Sequence, residues 1–236
     1  MEMPIRSIDN TGVSYSIEWF IGKIMNSRII ALSRYIIPRA IIQQRVSCTN
    51  CILFTFDDGP HPEITPRILD LCDAHSCRCI FFIPATRIER APALMAQILD
   101  RGHTIGNHSF SHSSPVGMSF DQCRFEISEC QRGIESETGF RPIFYRSPKG
   151  MITFNLLRAI RVCKVRFVRW SIDSGEYSHS RYSSPEEMGK SLLQRIHDRA
   201  IVLSHDDCDR TPGMLEYVLP RLNDKGYNLA CDLNVL

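Results

Sequence analysis

The chain has no run of basic residues and almost no excess of either charge: 28 Lys and Arg stand against 26 Asp and Glu in 236 residues, a net charge of +2. A field that weak gives no footprint for a polyanion, so nucleic acid is excluded as a partner at this stage. Long uninterrupted apolar runs are missing too. The most apolar stretch, Ile17 to Ile42, is cut by Lys23, Arg28, Arg34 and Arg39 at intervals too short to leave a segment that crosses a bilayer. Phe20, Ile21, Ile24 and Met25 follow helical spacing, with only basic charges from Lys23 onward. Two readings stay open: an interfacial helix making peripheral membrane contact, and an N-terminal helix packed against the rest of the protein. Pro38 ends or kinks either one.

No charged start, apolar core and small-residue cleavage site opens the chain, and its ten cysteines are scattered. The expectation is a cytoplasmic, membrane-associated at most, protein with reduced thiols. Cys48-Thr49-Asn50-Cys51 has redox or zinc-knuckle spacing, but no second such pair accompanies it. Cys77 and Cys79 alternate on an expected strand, where thiols serve as small apolar side chains. Both pairs read as structural. Repeats and low-complexity segments are absent, and oligomeric state has no sequence signature here.

A chain of this length with 43% hydrophobic residues can bury one sizeable core. From residue 51 onward short apolar runs alternate with longer amphipathic ones. Strands are predicted near 51–56, 79–84, 142–145, 166–171 and 200–204, and helices near 64–75, 91–101, 120–138, 153–162, 185–197 and 213–225. That alternation argues for parallel βα units, an α/β fold. The division expected is an N-terminal extension, 1–50, and a catalytic domain, 51–236. Ser184 is the expected cap of the helix opened by Pro185, Glu186 and Glu187.

The chemistry gathers in five segments. Asp57 and Asp58 close the buried run Cys51 to Phe56, and Gly59-Pro60 then turns the chain. His108 and His112 follow in a His-x-x-x-His pair. One divalent metal could collect three ligands from these groups and keep an open position for water. Of two neighbouring carboxylates, one can bind the metal and the other accept a proton. Arg146-Ser147-Pro148-Lys149-Gly150, Trp170-Ser171-Ile172-Asp173-Ser174-Gly175-Glu176-Tyr177 and Ile201-Val202-Leu203-Ser204-His205-Asp206 complete the set. In parallel βα folds such groups collect at the C-terminal strand ends, and the expected strands end just before these residues.

With these five segments in this order, the chain from about Cys51 to its C-terminus resembles the polysaccharide deacetylases that carry a chitooligosaccharide-deacetylase (NodB-type) homology domain, also called carbohydrate esterase family 4. The resemblance implies a distorted (β/α) barrel with fewer than eight strands. It also implies that Asp58, His108 and His112 bind one divalent metal, Zn2+ most often, with Co2+ or Ni2+ able to replace it. Asp57 would be the general base, Arg146 the group that holds its carboxylate, and His205 the general acid for the departing amine. Leu203 would help wall the acetyl-methyl pocket.

Two positions depart from the family pattern. Lys149 stands where a tyrosine is usual; its main-chain N–H can still serve an oxyanion, and its side chain favours an anionic sugar substituent. Glu176-Tyr177 stand where Asp-Trp is usual, which leaves either Glu176 or Asp173 to orient His205 and makes Tyr177 a candidate sugar contact. The expected activity is removal of N-acetyl groups from N-acetylglucosamine-containing oligo- or polysaccharides, or from a lipid-linked aminosugar. The alternatives are an amidase or cyclic-imide hydrolase of the same superfamily and a noncatalytic sugar-binding module.

Overall fold

The computed structural model describes residues 42–177 and 182–231. The readings made for residues 17–41 lie outside them. Among the described residues no helix is long and apolar enough to cross a membrane.

Eight strands make one sheet, and every pairing in it is parallel. They are β1 (Ile42–Gln43), β2 (Leu53–Asp57), β3 (Cys79–Ile83), β4 (Thr104–Asn107), β5 (Phe144–Tyr145), β6 (Arg166–Val168), β7 (Ile172–Asp173) and β8 (Ile201–His205). The order across the sheet is β1-β6-β5-β4-β3-β2-β8-β7. Among the described residues from 51 onward there are seven strands, in keeping with the expected NodB-type barrel of fewer than eight. The eighth, Ile42–Gln43, comes from the stretch read as an N-terminal extension and pairs with β6. The helices are α1 (Ile64–Ala74), α2 (Ala85–Ile88), α3 (Pro92–Asp100), α4 (Phe120–Thr138), α5 (Phe154–Cys163), α6 (Pro185–Arg195) and α7 (Arg210–Asp224).

Both faces of the central strands are covered, which is why β2 and β3 are buried throughout. The period of two divides their side chains. Phe54, Phe56, Cys79, Phe81 and Val202 join the core shared with Ile68, Leu69, Met95 and Leu215 of the helices. Leu53, Ile80, Phe82, Val168 and Ile201 fill the other face, the barrel interior. Thr55 and Asp57 continue the parity of Leu53 and Leu203 and His205 that of Ile201, so these polar groups belong to the interior face.

The helix signals hold locally. Ser184 accepts a hydrogen bond from the Glu187 N–H at 3.2 Å. At α4, Ser119 and Gln122 form a reciprocal capping box. Besides β1, two strands were not predicted. β4 is too polar and short to read as one, and Gly106 within it is required by packing: a Cβ there would lie 2.3 Å from the Phe82 ring. The run 166–171 breaks after Val168, and β7 follows as a separate two-residue strand on the far side of β8. The expectation of reduced thiols is also corrected at one pair, since Cys48 and Cys51 form a disulfide while the other eight cysteines are free.

Candidate active site

Strand geometry sets the first carboxylate. Asp57 is the last residue of β2, aligned with His205 on β8 and with Phe82 on β3. Its Oδ1 accepts a 2.7 Å hydrogen bond from Nη1 of Arg146, which also donates to Thr55 Oγ1 at 2.8 Å. The Arg146 guanidinium is wholly buried; its Nε donates to the Val168 carbonyl, and it lies 4.2 Å from the Phe82 ring centre. A cation without water must be matched by fixed partners. Here Asp57 supplies the charge and carbonyls supply the remaining acceptors.

Asp58 leaves the strand with φ of 73°, and the chain turns through Gly59. That glycine lies against the Asp206 carboxylate, since a Cβ would stand 2.0 Å from its Oδ2. Asp206 is buried with one oxygen on Thr65 and the other unpartnered, and burial pushes its carboxyl up to about 7.

The histidine pair sits on the loop leaving β4. His108 donates from Nδ1 to the Arg146 carbonyl at 2.9 Å, which turns Nε2 toward the carboxylates: 3.4 Å to Asp58 Oδ1 and 3.6 Å to Asp57 Oδ2. His112, with φ of 58°, brings Nε2 to 2.9 Å from Asp58 Oδ1. Burial works against the Asp58 charge, but the His112 hydrogen bond and the neighbouring imidazoles outweigh it and hold this carboxyl well below its usual range. The same bond raises His112, whereas complete burial lowers His108.

Donor atoms of Asp58, His108 and His112 all lie within 4.8 Å of one another. One carboxylate oxygen and two imidazole nitrogens, with the His108 tautomer set by a carbonyl, suit zinc, cobalt or nickel better than the oxygen-seeking calcium or magnesium. The residues present therefore fit a divalent metal.

His205 faces this cluster from β8, with Nε2 at 3.9 Å from Asp58 Oδ2. Its Nδ1 donates to Glu176 Oε1 at 2.7 Å. Ser174 and Ser204 hydroxyls donate to the same carboxylate, which has no exposure to solvent. Burial alone would lower His205, but the Glu176 bond and charge, with Asp57 and Asp58 behind them, raise it to about 9. Asp173, the other carboxylate weighed for this place, is exposed and accepts the Gly175 N–H at 2.9 Å. The longer Glu side chain reaches the imidazole from the turn, and Asp173 does not.

Tyr177 tilts its ring over His205, 4.6 Å between centres, and its hydroxyl donates to Asp207. It borders an open cleft of about 520 Å³ lined also by His61, Glu63, Arg67 and Asp209. Leu203 is buried one pleat below His205. Lys149 is exposed on the tight turn Pro148–Gly150, at φ of 56°, and Trp170 packs edge-on against Gly150.

Two functional supports went unnoticed in the sequence. Glu126, buried on α4, accepts both the main-chain N–H and the hydroxyl of Ser111, at 2.8 and 2.7 Å, and so fixes the loop between the two histidines. Asn107 accepts the Ser109 N–H and donates to the Ile127 carbonyl. The one signal for Glu126 was a carboxylate among Cys123, Ile127 and Cys130 on the buried face of a helix.

The profile of the polysaccharide deacetylase family matches residues 45–168. Peptidoglycan-N-acetylglucosamine deacetylase PgdA of Listeria monocytogenes is 28% identical over 82% of this chain, which spans 39% of that relative's length. Chitooligosaccharide deacetylase of Azorhizobium caulinodans is 28% identical over 75% of this chain and 90% of its own. The structure of peptidoglycan deacetylase PdaC from Bacillus subtilis superimposes with a TM-score of 0.70 at 27% identity, covering 79% of this chain and 87% of that one.

Proposed function

Because the chain belongs to the polysaccharide deacetylase family, we propose that it hydrolyses the N-acetyl amide of N-acetylglucosamine units in an oligo- or polysaccharide or a lipid-linked aminosugar, releasing acetate and a free amine. The observation that carries this reading is the pairing of Asp57 with His205 across adjacent strands, around the Asp58, His108 and His112 donors. A sugar-binding module has no use for a buried carboxylate paired across adjacent strands with a raised imidazole.

Asp57, kept in place by the Arg146 fork, takes the proton of the attacking water as the oxygen–carbon bond forms. His205, protonated and oriented by Glu176, gives its Nε2 proton to the nitrogen as the carbon–nitrogen bond breaks. Asp58, His108 and His112 would hold a zinc ion, or cobalt or nickel in its place, which would supply Lewis acidity to the acetyl carbonyl and to water. The Lys149 main-chain N–H stabilises the oxyanion, Leu203 walls the acetyl methyl, and Tyr177 offers a ring face to the sugar.

Acetate and free amine are to be measured with zinc or cobalt across chitooligosaccharides, peptidoglycan fragments, lipid-linked N-acetylglucosamine and small cyclic imides. Acetate from the sugars and no imide opening is the expected result. Imide opening alone would replace this reading with the amidase one, and binding without release would replace it with a sugar-binding role.

A further inference from the structure

Away from the active site, three cysteines converge where the segment before β2 meets the C-terminal end of the described chain. Asn228 runs beside Cys51 in a parallel bridge, accepts the Ile52 N–H at 3.0 Å, and donates its own N–H to the Asn50 carbonyl. This brings Cys231 against the Cys48–Cys51 disulfide. Its thiol donates to the Ile52 carbonyl at 3.5 Å, and the three sulfurs all lie within 4.8 Å of one another. Cys51 and Cys231 are buried in the same apolar cluster, while Cys48 packs at its partly exposed margin.

We propose that Cys48, Cys51 and Cys231 form a thiol–disulfide exchange site, in which the disulfide passes from Cys48–Cys51 to Cys51–Cys231 and staples the C-terminal segment to the entry of β2. Cys231 loses its proton to solvent, and its sulfur attacks Sγ of Cys51. The Cys51–Cys231 bond forms as the Cys48–Cys51 bond breaks, and Cys48 leaves as a thiolate that is then protonated. One disulfide is exchanged for another, so no oxidant or reductant is consumed.

The direction follows from solvation and chain entropy. Cys48 is the better leaving sulfur because water reaches it at the margin of the cluster, whereas a thiolate on either buried neighbour would be poorly solvated. The product joins positions about 180 residues apart, in place of a disulfide whose partners are three apart. A longer closed loop removes more freedom from the unfolded chain, which favours the folded product. Burial pushes the Cys231 thiol up to about 11, so exchange is slow at neutral pH and quickens as pH rises.

The full chain, oxidised as purified, is to be held at pH 9, quenched in acid, alkylated with N-ethylmaleimide and mapped by mass spectrometry without reduction. Growth of a Cys51–Cys231 link with alkylated Cys48 is expected. In Cys48→Ser, oxidised glutathione should drive the same link, with acetate release unchanged and Tm raised by several degrees over the reduced variant. Persistence of Cys48–Cys51 alone in the wild type, with only glutathione adducts in Cys48→Ser, overturns the proposal. A Cys48–Cys231 link overturns the choice of Cys51 as the exchanging sulfur. Zinc held by the reduced His112→Ala protein but lost when Cys231→Ser is added would make the cluster a metal site instead. None of these outcomes depends on which acetylated sugar the enzyme takes.

Discussion

Glu176 and His205 form a buried carboxylate–imidazole pair, 2.7 Å from Oε1 to Nδ1, in which the carboxylate also accepts two serine hydroxyls. The pairing raises His205 to about 9. The proton is therefore retained across neutral pH, and its contribution to stability is present below the unfolded value near 6.5 and lost as pH rises through about 9.

In Glu176→Gln that pull is gone, so the alkaline limb of the pH–rate profile should move downward from about 9 toward the ordinary imidazole range, with lower turnover at neutral pH. Asp173→Asn should leave the limb where it is. A limb that moves only with Asp173→Asn would contradict the assignment of the orienting carboxylate.

Substitutions at Asp57 and His112 separate the proposed base from the proposed metal ligands. Asp57→Asn preserves volume and leaves the three donors intact, so bound metal should remain while turnover falls roughly 100-fold or more. His112→Ala should instead lower metal content and activity together. Metal analysis alongside steady-state rates reads both.

Arg146→Met replaces a buried cation with an apolar chain of comparable length and strands Asp57, a buried carboxylate, without its partner. Breaking one side of a buried pair costs about 3–5 kcal/mol. Urea unfolding should show a loss of that order, far beyond what the same change at exposed Arg124 produces.

Glu126→Gln leaves one acceptor for Ser111 where two are needed, because one carboxylate oxygen becomes an NH2 group. The His108–His112 loop should loosen. Weakened support of metal ligands typically costs 10- to 100-fold in affinity, which competition with a chelator would register as a raised metal Kd.

Asp206 gives a pH dependence of the opposite origin. Its folded carboxyl is raised to about 7 from an ordinary 3.8, chiefly by burial. The neutral form is thus the one the fold favours: its contribution is complete below 3.8 and is lost as pH rises through about 7. Asp206→Asn removes this titration, so the difference in Tm between variant and wild type should grow in the variant's favour between pH 4 and 8. A constant difference across that range would rule out a buried, titrating carboxyl here.

The pattern of single residues already carried much of the site. Asp57, Asp58, His108, His112, Arg146 and His205 fall at strand ends or just after them, and a parallel sheet gathers its strand ends on one side whatever the details of packing. Buried strands and capped helices were legible for the same reason: their signals are local. β4 was not, because Thr104-Ile105-Gly106-Asn107 is a strand only by virtue of its hydrogen bonds to β3 and the Phe82 ring over Gly106. Nor was the Glu126–Ser111 clasp, which joins a helix to a loop fifteen residues away.

By itself, then, the sequence determined that carboxylates, imidazoles and Arg146 would converge at the strand ends, since hydrophobic period and motif order are properties of the chain alone. Only the tertiary structure decided between Glu176 and Asp173, because reach to His205 depends on the turn after β7 and on the separation of two strands. It alone paired Cys48 with Cys51 and brought Cys231 beside them, because contacts between the two ends of a chain follow from how the sheet brings those ends together, and no local signal encodes that.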